Sequence, residues 1–201
     1  MPFCVGLTGG IGSGKTVASG MFEALGAGIV DTDEISRELT APAGAAITSI
    51  QKRFGPEFTA ADGGLDRARM RRLVFSDATA KEKLEAILHP LIRERTRAAI
   101  AAARQPYVIA VIPLLFETRV CLDLLQRVLV VDCDEGEQVR RAAARSGLSD
   151  GEVRAIMAAQ LPRAERVRQA DDVLVNDGGM DALHRRVAQL HAKYLDLARK
   201  A

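Results

Sequence analysis

Residues Gly9-Gly10-Ile11-Gly12-Ser13-Gly14-Lys15-Thr16 spell G-x-x-x-x-G-K-T between an apolar run, Phe3 to Thr8, and a helix-like segment, Thr16 to Leu25. A strand, a glycine-rich loop and a helix in immediate succession leave the chain few ways to fold. Glycines let the backbone take positive φ and approach an anion closely. Loop amides and the helix N-terminus then concentrate positive potential at one point. Lys15 brings an ammonium to the β and γ phosphates of a nucleotide, and the Thr16 hydroxyl is suited to ligate Mg2+. A plain glycine turn requires neither the flanking elements nor Lys15 and Thr16, yet all are in register. The motif implies a P-loop that takes the triphosphate of ATP.

Four more apolar runs follow, Gly28 to Asp31, Tyr107 to Pro113, Arg127 to Asp132 and Asp172 to Asn176. The runs YVIAVIP and RVLVVD are nearly continuous hydrophobes, as expected of strands buried on both faces by helices. Thr16 to Leu25 is apolar along Val17, Met21, Phe22 and Leu25 and ends at Gly26, a C-terminal cap. Met180 to Lys200 carries Leu183, Val187, Leu190, Tyr194 and Leu197 on one stripe. This alternation predicts an α/β P-loop NTPase fold with a five-stranded parallel sheet flanked by helices. Two stretches exceed a simple crossover. The expected division is a core of residues 1–33, 107–132 and 172–201, a helical substrate-binding insertion over 34–106, and a helical lid over 133–171.

With 201 residues, the chain suits one α/β core with an insertion or two. Its 28 basic and 26 acidic residues nearly balance, so charge supplies no argument for nucleic acid or membrane binding. No apolar run approaches the roughly 18 to 20 residues that span a bilayer, and the first residues do not read as a signal peptide. Cys4, Cys121 and Cys133 are odd in number and form no CxxC pair, so neither a disulfide framework nor a zinc site is expected. The expected setting is the cytoplasm, as a monomer or small homo-oligomer.

Asp31-Thr32-Asp33 ends the second apolar run. Strand C-termini form the ligand crevice of an open parallel sheet, so a carboxylate is expected there to orient an acceptor hydroxyl and take its proton. The competing role for Asp33 is a helix N-cap before Glu34 and Ile35. Asp31 equally suits water-mediated support of Mg2+. His89-Pro90 lies in a long helical pattern that Pro90 is expected to kink or restart, and on spacing alone His89 reads as structural. The lid stretch contains Arg140, Arg141, Arg145, Arg154, Arg163, Arg166 and Arg168. Guanidinium suits a transferring phosphoryl group, although a solvated face of Arg–Glu pairs accounts for most of the seven.

Thr8-Gly-Gly-Ile-Gly-Ser-Gly-Lys-Thr16, Asp31-Thr-Asp33, His89-Pro-Leu-Ile92, Pro113-Leu-Leu-Phe-Glu117, Arg127-Val-Leu-Val-Val-Asp132, Ala159-Gln160 with Arg163, and Ala170-Asp-Asp172 with Asn176 together resemble the dephospho-CoA kinase family. The resemblance spans nearly the whole chain. It implies transfer of the γ-phosphoryl group of ATP, with Mg2+, to the ribose 3′-hydroxyl of dephospho-CoA, the last step of coenzyme A biosynthesis. Lys15, Asp33 and Arg141 would be catalytic. Gly10, Ile11, Gly12, Ser13, Gly14, Lys15, Thr16 and Val17 would hold ATP, with Asn176 near adenine and Thr16 on the metal. Thr8, Asp33, His89, Arg93, Pro113, Leu114, Leu115 and Glu117 would line the acceptor side, and Gln160 and Arg163 would support the lid there. Val17 departs from the small hydroxyl residue found in many relatives, which removes one side-chain bond to the α-phosphate. The alternatives are another P-loop small-molecule or nucleoside monophosphate kinase, and a non-catalytic nucleotide switch. The switch lacks its motifs, since the single Asn, Asn176, precedes Asp177 and no D-x-x-G occurs.

Overall fold

Every residue from Phe3 to Thr8 is buried, and this run forms β1 (Phe3–Thr8), the middle strand of a five-stranded sheet. The computed structural model describes residues 1–201. After β1 come α1 (Lys15–Ala24), β2 (Gly28–Asp31), α2 (Thr32–Leu39), α3 (Ile47–Phe54), α4 (Arg67–Ser76) and α5 (Ala78–Ala102). The chain continues through β3 (Tyr107–Val111), α6 (Leu115–Thr118), β4 (Arg127–Asp132), α7 (Glu135–Ser146), α8 (Asp150–Ala158), α9 (Arg163–Arg168), β5 (Asp172–Val175) and α10 (Met180–Ala198). Two compact units emerge, Met1–Asp31 with Ala99–Ala201, and Thr32–Ala98.

The first unit holds the whole sheet, in the order β2-β3-β1-β4-β5 with every pair parallel. The expected fold is therefore present. Alternate residues divide between the two faces. Phe3, Val5 and Leu7 of β1, Tyr107, Ile109 and Val111 of β3, and Leu129 and Val131 of β4 join one core with Ala18, Met21 and Phe22 of α1 and Leu183, Val187 and Tyr194 of α10. Each large side chain so buried contributes about 1.5–3 kcal/mol. Gly26, at φ 98, ends α1 as expected. Its amide donates to the Glu23 carbonyl at 2.8 Å, and the Ala27 amide donates to that of Phe22 at 3.0 Å. This paired pattern satisfies the helix's last carbonyls.

Polar groups in this core have partners. The Tyr107 hydroxyl and His191 Nδ1 are 2.8 Å apart. Asp172, at the start of β5, accepts from Arg127 at 2.9 Å and from Tyr194 at 3.1 Å, and pairs with Lys193. Its neighbour Asp171 accepts the Val128 amide at 2.7 Å. These contacts pin β5 to β4 and α10.

The second unit is helical. Ile35 and Leu39 of α2, Ile47 and Ile50 of α3 and Met70 of α4 are buried. The Thr40 carbonyl accepts the Leu65 amide at 2.9 Å, and its hydroxyl accepts from Arg67 at 2.7 Å. Asp66 caps α4 by accepting the Arg69 amide at 2.8 Å. The helix does not restart at Pro90, because α5 is continuous from Ala78 to Ala102. Proline removes one amide donor, and the rest of this long helix carries the cost. No helix is long and apolar enough to cross a membrane.

Burial raises the Asp172 carboxyl, but hydrogen bonds from Arg127 and Lys193 outweigh it and hold the group below the ordinary aspartate range. A carboxyl lowered on folding stabilises the native state above its unfolded value of about 3.9, and that stability is lost as pH falls through the lowered native value. Asp172→Asn should therefore cost about 2 kcal/mol at pH 7. The difference from wild type should shrink below pH 4, as read by urea denaturation at each pH.

Candidate active site

The loop between β1 and α1 packs so tightly that side chains have no room. Gly12 sits at φ 73, and a Cβ there would lie 2.3 Å from the backbone oxygen of Gln138. At Gly10 it would lie 2.3 Å from Gln138 Oε1 and 2.8 Å from a guanidinium nitrogen of Arg166. The loop is thus pressed against α7 and α9. Gly14 precedes α1 in left-handed conformation, and no side chain caps that helix. The first amides of α1 have no intrahelical acceptor, and they carry the positive end of the helix dipole. Lys15 Nζ donates to the Gly9 carbonyl at 2.8 Å and the Gly10 carbonyl at 3.0 Å, so its ammonium lies over the start of the loop. Thr16 is exposed in the first turn of α1. Its hydroxyl is a hard neutral oxygen, the donor type Mg2+ takes alongside water. Val17 is also exposed, with its side chain outside the core.

Distant side chains fix the loop's peptides. Asn176, buried after β5, donates from Nδ2 to the Ser13 carbonyl at 2.8 Å. Gln160, in the turn after α8, accepts the Ile11 amide at 3.1 Å. Buried Gln138 donates to the Cys133 carbonyl at 2.7 Å. Arg141 donates to Glu137 at 2.8 Å and to the Asn176 carbonyl at 3.3 Å. Hydrogen bonds from Arg140 and Arg141 hold the Glu137 carboxyl down at about 2. Arg163 makes a two-pronged pair with Asp132 at the end of β4, at 2.7 and 2.8 Å. Arg166 is 7% exposed, and burial lowers the pKa of its guanidinium. It donates to the Leu161 carbonyl. A cavity of about 330 Å3 opens beside this cluster, lined by Glu135, Arg154, Met157, Gln160, Arg163 and Arg166 among others.

The segment after β3 meets the same cluster. Thr8 donates its hydroxyl to the Pro113 carbonyl at 3.2 Å, and Glu117 accepts the Leu161 amide at 2.7 Å. Leu114 is exposed, whereas Leu115 is fully buried and contributes its side chain to packing. Asp31 closes β2. Asp33 does not occupy the cap position that was its competing role. α2 begins one residue earlier, at Thr32, so Asp33 lies inside the first turn. His89 and Arg93 stand four residues apart on α5, in the second unit with Asp33.

Of the arginines in residues 133–171, Arg140 with Glu137 and Arg168 with Glu165 form exposed pairs, as expected of a solvated face. Arg141, Arg163 and Arg166 instead reach the strand ends and turns around the loop. Three supporting residues, Gln138, Glu137 and Asp132, were not anticipated from sequence as site residues. Asp132 carried a usable signal as the polar end of an apolar strand. Gln138 carried none, since a lone glutamine in a polar helix has no period to betray it.

A family model described as dephospho-CoA kinase matches residues 3–182. A dephospho-CoA kinase of Nitrosospira multiformis is 54% identical over 194 residues, covering 96% of this chain and 97% of that protein. A crystal structure from Thermus thermophilus superposes with a TM-score of 0.83 at 35% identity, covering 96% of this chain and 97% of its own. A Campylobacter jejuni dephospho-CoA kinase shares the fold at TM-score 0.72 and 20% identity, covering 96% and 97%.

Gly12→Ala should abolish ATP binding, because the new methyl group meets fixed backbone in a φ range costly for alanine. Calorimetric titration should show the affinity falling at least about a hundredfold, on the order of the cost of misplacing the loop.

Proposed function

The chain belongs to the dephospho-CoA kinase family, and from that premise we propose how its residues divide the work of making coenzyme A. The enzyme transfers the γ-phosphoryl group of ATP to dephospho-CoA. In our reading the ribose 3′-oxygen attacks the γ-phosphorus, the bond from that phosphorus to the β,γ-bridging oxygen breaks, and ADP leaves. Asp33 orients the attacking hydroxyl and takes its proton. The loop amides and Lys15 hold the β and γ phosphates and meet the charge that shifts onto the bridging oxygen. Arg141 adds a guanidinium near the equatorial oxygens. Thr16 would hold Mg2+, which when bound neutralises β and γ phosphate charge. Thr8, His89, Arg93 and the Pro113 to Leu115 stretch belong to the acceptor side. For Leu115 that contribution would come from the backbone.

The observation that carries the donor half is the loop itself, with the Lys15 ammonium over its entrance and an uncapped helix behind it. Acceptor identity rests on family membership. Three buried free thiols suit work in the reducing cytoplasm.

A coupled ADP-release assay offering dephospho-CoA, AMP, CMP and shikimate should show rapid turnover with dephospho-CoA alone. Comparable rates with another acceptor would overturn the assignment. Asp33→Asn should lower kcat about 10²–10⁴-fold, the usual range for a lost general base, while MgATP affinity stays close to wild type. A loss of thermal stability with kcat intact would instead give Asp33 a purely structural role.

A further inference from the structure

Two adjacent residues tie the turn between α8 and α9 to separate parts of the first unit. Gln160 accepts the Ile11 amide of the phosphate loop at 3.1 Å. Leu161 donates its amide to Glu117 of α6 at 2.7 Å, while its carbonyl accepts from buried Arg166. Arg166 also presses on the loop, 2.8 Å from where a Gly10 Cβ would stand. Pro162 follows directly and limits backbone freedom in the turn. A carboxylate accepting an amide at this distance makes a strong, charge-assisted bond. The contacts therefore form a continuous chain, Glu117 to Leu161 to Gln160 to Ile11.

We propose that Glu117 is a positioning residue for phosphoryl transfer, which holds the α8–α9 turn and, through Gln160, sets the Ile11 peptide of the phosphate loop. This rests on the reaction proposed above, and it gives Glu117 a role other than touching the acceptor. Its Oε1 atom is committed to the Leu161 amide. The Ile11 peptide has one side-chain acceptor, the oxygen of Gln160, and that oxygen is only as well placed as the turn carrying it. Loosening the turn misplaces the γ-phosphate relative to the attacking oxygen, an error that falls on turnover more than on acceptor binding.

The test compares wild type, Glu117→Ala, Gln160→Ala, the double variant and Glu117→Gln, all full length. Turnover is measured with MgATP and dephospho-CoA, and MgATP affinity by calorimetry without acceptor. Each alanine variant should lower kcat about tenfold and weaken MgATP binding, with KM for dephospho-CoA within about twofold of wild type. The double variant should be no worse than the worse single one, because both changes break one chain of contacts. Glu117→Gln should recover most of the loss, since an amide oxygen still accepts the Leu161 amide. A raised KM for dephospho-CoA with kcat and MgATP affinity intact would overturn the proposal in favour of acceptor contact. Losses that multiply in the double variant would also overturn it. If wild type itself fails to turn over dephospho-CoA, the reaction assignment fails. MgATP affinities then decide the positioning role, with coupled losses supporting it and additive or absent losses refuting it.

Discussion

The structure depends on a backbone with no room to spare. Between β1 and α1 the chain passes so close to Gln138, Arg166 and Asn176 that a methyl group would stand 2.3 Å from the Gln138 backbone oxygen at Gly12, and 2.3 Å from the side-chain amide of Gln138 at Gly10 or of Asn176 at Gly14. That closeness turns loop amides into a rigid anion cradle and leaves the α1 N-terminus open. The parallel sheet serves the same end. It brings the ends of β1 and β4 side by side, so the Asp132 to Gln138 stretch and the loop must share one small space.

The cradle is made by residues far from it in sequence. Asn176 is 163 residues from Ser13, and Gln160 is 149 from Ile11. Such bonds tie the loop to the segment read as a lid. Arg141, Arg163 and Arg166 of that segment turn toward this region. Arg163 is neutralised by Asp132, while Arg166 is buried against a carbonyl. Leaving a buried guanidinium without its acceptor is costly, so this cluster holds the turn firmly.

What was legible in the sequence follows from what leaves a repeating or local trace. β3 and β4 showed as unbroken apolar runs because both faces of the sheet are covered. The loop showed because Gly, Lys and Thr at fixed spacing have few other uses. Gly26 showed because only a residue tolerant of positive φ ends α1 there. Pro90 does not restart the helix, since the remaining bonds of α5 carry it across one missing donor. The cap that competed with catalysis for Asp33 loses its position because α2 starts at Thr32. The buttress of Gln138, Gln160 and Asn176 was legible only in part. Single amides that meet a loop after a hundred residues or more have no local pattern, and two of them were noticed through family resemblance alone.

In the reaction proposed, the phosphate loop, Lys15 and Arg141 on the donor side lie in the first unit, as do Thr8 and Pro113 on the acceptor side, whereas Asp33, His89 and Arg93 lie in the second. The central claim is that the cradle around Lys15 drives phosphoryl transfer to dephospho-CoA. Steady-state turnover of Lys15→Ala, with its melting temperature as control, tests that claim most directly. The account predicts a loss of at least about 10²–10³-fold in kcat at an unchanged melting temperature, the scale of removing a charge that stabilises the transition state. Near-normal turnover in a folded Lys15→Ala protein would contradict it.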